Sequence, residues 1–263
     1  MRIVIIGSGN LATQLALALK ATGKEVVQVY SRTEEHAKAL ANKIGCDYTS
    51  TTEAICRHAD LYIIAIKDDA IGEVAATLCK NCPQSLFIHT AGSVPMDVFK
   101  GHAVQYGVLY PMQTFSKNRQ VDFREIPCFI EASDDESLAA IRQLAGSLSS
   151  HVVDCDSERR KKMHLAAVLA CNLANHCYRL AERVVEAEHI DFRLFQPLIM
   201  ETARKVATMS PRDAQTGPMV RYDQRVMDMQ IQMLPDERTR DIYRLMADSI
   251  HEDLVNRKNG SLQ

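Results

Sequence analysis

The feature that most constrains this chain is a glycine turn. Gly7-Ser8-Gly9-Asn10-Leu11-Ala12 follows a short apolar run, Arg2 to Ile6, and opens an Ala- and Leu-rich helical stretch, Asn10 to Thr22. An apolar run of that length before a turn reads as a strand buried on both faces of a parallel sheet. In that setting Gly7 permits the tight turn, Gly9 lets backbone approach a pyrophosphate, and small Ala12 lets the helix pack closely on the strand. The helix start adds free N–H groups and the positive end of the helix dipole. Alone the motif is weak; between a strand and a helix it is strong. It predicts a dinucleotide whose phosphates lie over Gly7, Ser8, Gly9, Asn10 and Leu11. The bland alternative is a turn without a ligand.

The first half of the chain continues the alternation. Strand patterns at Glu25 to Tyr30, Cys46 to Tyr48, Leu61 to Ile66 and Ser85 to His89 alternate with helical ones at Glu34 to Ile44, Thr52 to Arg57 and Ala70 to Lys80. That order predicts a parallel sheet with helices on both faces. Weaker strand patterns follow at Ala103 to Leu109, Cys128 to Glu131 and His151 to Val153. A capping box at Ser133 to Glu136 opens a helix to about Leu148. From Asp156 the pattern is helical: to Glu188, Phe192 to Met209, Asp223 to Leu234 and Glu237 to Asn256. The fold expected is α/β, a doubly wound, mostly parallel Rossmann sheet over 1–154, followed by an all-α domain over 155–263.

The second strand pattern ends in Ser31-Arg32-Thr33. NAD sites usually place an acidic residue about 20 residues after the glycines, on the ribose hydroxyls. Here a guanidinium between two hydroxyls takes that place, suited to a 2′-phosphate and to stacking on adenine. NADP is therefore expected over NAD. The alternative is that Ser31 and Glu34 form a capping box and Arg32 is solvated.

Composition excludes other classes. Formal net charge is −2, with 31 basic and 33 acidic residues scattered along the chain, so no nucleic-acid surface is expected. No apolar run approaches the ~20 residues of a membrane helix, and the first apolar stretch is too short for a signal peptide. Eight cysteines without an export signal suggest a reduced, cytoplasmic protein. The tight pair Cys79-Lys80-Asn81-Cys82 lacks the second pair that a zinc site needs, so it reads as structural. No metal is expected.

Several stretches carry a resemblance. Ala65-Ile66-Lys67-Asp68, His89-Thr90-Ala91-Gly92-Ser93 and Pro111-Met112-Gln113-Thr114 are similar to loops of pyrroline-5-carboxylate reductases and the wider 6-phosphogluconate dehydrogenase-like superfamily, with Asp68 where the reductases have Pro. His164-Leu-Ala-Ala-Val, Cys171-Asn172-Leu-Ala-Asn175-His176 and Ala214-Gln215-Thr216-Gly217-Pro218 resemble a bacterial family of NADP oxidoreductases with a Rossmann-like first domain and a helical second domain of unknown function. That resemblance covers nearly the whole chain. It implies NADP as cofactor, with Ala65, Ile66, Lys67, Thr90, Ala91 and Gly92 joining the glycine loop and Ser31, Arg32 and Thr33 around it. It implies an oxidoreductase, not a substrate. The superfamily's helix Lys with an Asn one turn later is not reproduced: one turn after His164 is Val168, and after Lys161 and Lys162 come Leu165 and Ala166.

Candidate chemistry sits on one helix and three loops. At about 100° per residue, Glu158 to Glu188 has a broad apolar face edged by His164, Val168, Cys171, Asn175 and Tyr178. His164 suits a proton donor, because imidazole titrates near working pH; Asn175 suits a substrate carbonyl or the nicotinamide amide. They stand about 16 Å apart along the axis, too far to share one small reacting centre. His89 is a second candidate, at the carboxyl edge of the sheet where doubly wound folds bind ligands. Gln113, Thr114, Gln215 and Thr216 are candidate substrate contacts. Each has a bland reading, from a helix-edge or loop His to a plain interhelical turn. The function expected is reversible hydride transfer between NADP(H) and a small C=O or C=N substrate, in a homodimer joined through the helical domain. The alternative is an NADP(H)-binding regulatory protein without turnover.

Overall fold

The computed structural model describes residues 1–260, with side chains through residue 255. Eight strands form one sheet: β1 (Arg2–Ile6), β2 (Glu25–Tyr30), β3 (Asp47–Thr49), β4 (Leu61–Ile64), β5 (Leu86–His89), β6 (Gln105–Pro111), β7 (Cys128–Ala132) and β8 (Val152–Asp154). Their spatial order is β3-β2-β1-β4-β5-β6-β7-β8. All neighbours pair in parallel except β6 and β7. Ile6 pairs with Tyr30 and Ile64, Ile64 with His89, and His89 with Val108. The carboxyl ends of β2, β1, β4 and β5 thus come level at one edge.

Alternation along each strand sorts side chains onto two faces. Ile3, Ile5, Val29, Ile63 and Ile88 pack with Leu15 and Leu19 of α1 (Asn10–Ala21), Leu40 of α2 (Glu34–Ile44) and Leu144 of α4 (Asp135–Leu148). Val4, Ile6, Tyr62, Ile64 and Phe87 pack with Ile71 and Leu78 of α3 (Ile71–Asn81) and with Phe99. Burying each such side chain contributes about 1.5–3 kcal/mol, which is what holds the carboxyl edge rigid. Cys79 and Cys82 belong to the second cluster. The Tyr62 hydroxyl lies 3.1 Å from the Cys82 sulfur, and burial pushes the Cys79 thiol up to about 12.

Local expectations shift in places. Thr52 to Arg57 makes only a single turn, Thr52–Ala54, because so short a stretch with β-branched neighbours does not nucleate a helix. The cap of α4 is Asp134, whose carboxylate accepts from the Ser137 amide, rather than Ser133, whose hydroxyl donates to Asp134 instead. The helix expected to run unbroken to Glu188 is α5 (Ser157–Ala167), a π-helical segment (Val168–Leu173) and α6 (Ala174–Glu186). π turns hydrogen-bond to the fifth residue, so the 100° wheel fails beyond Ala167. The stripe drawn from His164 to Tyr178 is not one straight line.

The chain forms two compact units, Met1–Cys171 and a second from Asn172 onward. The sheet ends at Asp154, and the first compact unit continues through Cys171 because α5 packs on the sheet: Cys155 and Met163 join Val108, Tyr110 and Phe129 in one small cluster. The second unit consists of α6, α7 (Gln196–Thr208), two short turns α8 (Pro211–Ala214) and α9 (Pro218–Arg221), α10 (Gln224–Met233) and α11 (Glu237–Gly260). Asp236 ties its helices together, accepting from Arg183 at 2.6 Å and from the Thr239 amide at 2.8 Å.

Candidate active site

The site begins where β1 ends. Gly7 has φ +125°, and a Cβ there would lie 2.1 Å from the carbonyl oxygen of Ala65. Only glycine lets β1 and β4 close up this tightly at their carboxyl ends. Gly9 caps α1 without any side-chain bond, and a Cβ on it would meet nothing within 4 Å. The first turn of α1 carries no acidic residue, and Gly9, Asn10 and Leu11 line an open space.

That space is a cavity of about 730 Å³, within the ordinary range for small-molecule sites. Gly7 to Leu11, Ser31 to Thr33, Ala65 to Lys67 and Thr90 to Gly92 all line it. At the β2 end, the Ser8 hydroxyl donates to Ser31 at 2.8 Å. Ser31 does not cap α2; the cap position is Thr33, with no side-chain bond. Arg32 is exposed and forms no ion pair among the described residues. Its guanidinium is free to meet an anion.

The other end of the cavity is built by Gly92, Tyr110, Gln113 and His164. The Tyr110 oxygen lies 3.0 Å from His164 Nδ1, with the rings edge to face. Burial, and then the nearby Asp68 carboxylate, push the Tyr110 phenol above its usual range. Asp68 also lines the cavity and accepts from the Ser93 hydroxyl. A Cβ at Gly92 would fall 2.6 Å from His164 Nδ1. From β2 to β6 there are four strand spacings, roughly 19 Å, so Arg32 and Tyr110 line opposite ends of the cavity. Tyr110 escaped the sequence reading; its signal was its place at the carboxyl end of a strand, where such sheets hold ligands.

Two other expectations need correction, and three of the remaining candidates lie in the other unit. His89 is fully buried and does not line the cavity. Its Nδ1 accepts from the Ala91 amide at 3.2 Å, its ring stacks on Phe99, and Nε2 has no partner among the described residues. Burial, and then Arg160, push it down to about 3, so it stays neutral and structural. Thr114 is exposed and spends its amide on the Gln113 side-chain oxygen at 2.8 Å; only Gln113 of that pair lines the cavity. Asn175, Gln215 and Thr216 belong to the second unit, whereas this cavity is built wholly from the first. Gln215 donates to the Thr216 carbonyl at 3.2 Å, between α8 and α9. Among the described residues no His, Cys, Asp and Glu cluster could hold a metal, and no helix is long and apolar enough to cross a membrane.

Comparison with known proteins gives two family matches along the chain. Residues 2–92 match a family described as NADP oxidoreductase, coenzyme F420-dependent, and residues 126–250 match a domain of unknown function, DUF2520. The crystal structure of a candidate NADP oxidoreductase from Bacteroides fragilis is 49% identical over 95% of this chain and 98% of that one, with a TM-score of 0.93. The chain belongs to this NADP oxidoreductase family. A Thermotoga maritima protein is 22% identical over 95% and 98% of the two chains, TM-score 0.78. An imine reductase from Myxococcus stipitatus, solved with NADP+, is 15% identical over 99% and 95%, TM-score 0.68. At those identities the likeness shows the fold alone. No curated protein matches the chain.

An NADP oxidoreductase takes NADP as its cofactor, and the cavity fits that molecule. It has a Cβ-free cradle at Gly7 and Gly9, an uncapped helix start for a pyrophosphate, and an unpaired guanidinium at Arg32 for a further phosphate.

Proposed function

We propose that this NADP oxidoreductase reduces a small C=O or C=N substrate, with His164 and Tyr110 handling the proton. The observation that carries the reading is the Tyr110–His164 pair, 3.0 Å apart and at the far end of the cavity from Arg32. Bound NADPH supplies hydride to the substrate carbon. The protein's part is to hold the two reactants in line and to give the substrate oxygen or nitrogen a proton. One member of the pair can donate while the other replaces the proton across their hydrogen bond. The glycine turn and α1 hold the pyrophosphate, Arg32 with Ser31 and Thr33 the 2′-phosphate, and Gln113 contacts the substrate or nicotinamide.

Two further parts of the reading concern its setting. Leu194, Leu198, Met233 and Leu245 are 64–72% exposed on the second unit. Apolar side chains exposed in such number suit a buried contact, which supports a homodimer through the helical domain. Eight free cysteines suit a reducing cytoplasm.

The test is a titration with NADPH and NADH followed by nicotinamide fluorescence, then a screen of cyclic imines, 2-keto acids and aldehydes for NADPH oxidation. NADPH-selective binding with turnover of one class supports the reading. Tight binding with no turnover favours the regulatory alternative, and binding of neither nucleotide overturns both.

A further inference from the structure

Among the described residues, the largest fully buried side chain is a charged one, Arg160. It lies on α5, one turn before His164. Its Nη1 donates to Glu131 Oε2 at 2.6 Å; its Nη2 donates to the Val94 carbonyl at 2.7 Å and to Ser157 Oγ at 3.1 Å. Ser157 returns to the same carboxylate through its amide at 3.1 Å and its hydroxyl at 2.7 Å. The Met96 amide donates to Ser157 Oγ at 2.9 Å. One guanidinium thus clamps three segments: β7 through Glu131, the loop after β5 through Val94, and the first turn of α5. Two residues before Val94 in that loop is Gly92, against which the His164 ring rests.

A buried ion pair is poor evidence for stability, since apolar replacements of similar volume are often as stable or more so. Arg160 even leaves its Nε without a partner among the described residues. What the clamp does fix is geometry. Residues four apart lie on the same side of a helix, about 6 Å along its axis, so the anchor sits one turn below the imidazole. The loop bearing Gly92 and the helix bearing His164 are tied to the same planar group. A lysine could not replace it, because one ammonium lacks the fork that reaches a carboxylate, a carbonyl and a hydroxyl together.

We infer that Arg160, with Glu131 and Ser157, is a positioning unit that sets His164 against Gly92 and in hydrogen-bond reach of Tyr110. Its catalytic consequence rests on the proposed role of His164; its structural content does not. The test uses the full chain with isotope-labelled histidine, reading the His164 ring nitrogens by NMR, with Tyr110→Phe as the reference for a lost bond. The apolar pair Arg160→Met with Glu131→Leu is expected to stay folded and to bind NADPH within about threefold of wild type, given the tolerance of such replacements. Its His164 signals should move to the Tyr110→Phe pattern, and Arg160→Lys should restore them only in part. A folded double variant whose His164 keeps the wild-type pattern overturns the inference. If the double variant does not fold, Ser157→Ala and Glu131→Gln decide: a shift of the His164 signals supports the clamp and unchanged signals in both overturn it. If the wild-type chain binds no NADPH, yet the variants show these shifts against it, the proposed function falls and the clamp stands.

Discussion

The Tyr110 hydroxyl and His164 Nδ1 lie 3.0 Å apart, joining the end of β6 to a helix that begins only after two further strands. Tyr110 lies in none of the stretches that carry the family resemblance, and the stretch that His164 opens does not point to Tyr110. The contact arises because β7 runs opposite to β6 and β8 follows β7. The chain leaves β8 beside Glu131, and α5 runs from there to the cavity.

Substituting either partner tests the pair. Tyr110→Phe and His164→Ala are each expected to lower kcat by about 10²–10⁴, the usual range for a positioned acid or base, while NADPH affinity stays within a few-fold. Gly92→Ala should lower kcat in the same way, because the added methyl displaces the His164 ring. Steady-state kinetics on the substrate found by screening, beside an NADPH titration, checks all three. Equal loss of affinity and turnover would count against the assignment.

The two glycines of the turn should part company. Gly7→Ala drives a methyl into the Ala65 carbonyl at a positive φ, and should cost roughly 2–5 kcal/mol of stability, read from denaturant midpoints. Gly9→Ala meets nothing. It should leave stability within about 1 kcal/mol and weaken NADPH binding at least tenfold, because the methyl occupies the approach to the phosphates.

Arg32→Ala should weaken NADPH binding about 10–100-fold, the worth of one charge-assisted contact of about 1.5–3 kcal/mol. NADH binding should not change. Comparable loss for both nucleotides would move the 2′-phosphate site elsewhere.

His89 predicts a pH dependence. Its folded pKa, pushed down to about 3, lies below the ~6.5 of an unfolded histidine. Below pH 6.5 the unfolded chain takes up a proton that the folded one refuses. The contribution of neutral His89 is therefore whole above about pH 6.5, and is lost as pH falls toward 3 at up to ~1.4 kcal/mol per unit. Urea melts at pH 7 and pH 5 should differ by about 2 kcal/mol more in wild type than in His89→Gln.

What could be read from the sequence was what lies close together along it. The glycine turn, the Ser31 to Thr33 stretch and the strand-end loops at Ala65 and Thr90 each pack a strand end, a turn and a helix start into a few residues, and all of them line one cavity. What could not be read depends on distant segments meeting. His89 ends a strand as expected, but Phe99 covers its ring, so a strand-end position alone did not separate cavity from core. Tyr110 gains its meaning from His164. The π segment after Ala167 leaves no compositional mark, since Val168 to Leu173 would suit an α-helix equally well.

The reversal at β7 also sets a timetable. Gly7, Arg32, Lys67 and Gly92 all precede β6, whereas His164 waits for β7, α4 and β8. At about 5–20 residues per second during synthesis, Gly92 leaves the ribosome roughly 4–14 s ahead of His164. The nucleotide cradle can thus assemble on a nascent chain that does not yet hold the Tyr110–His164 pair.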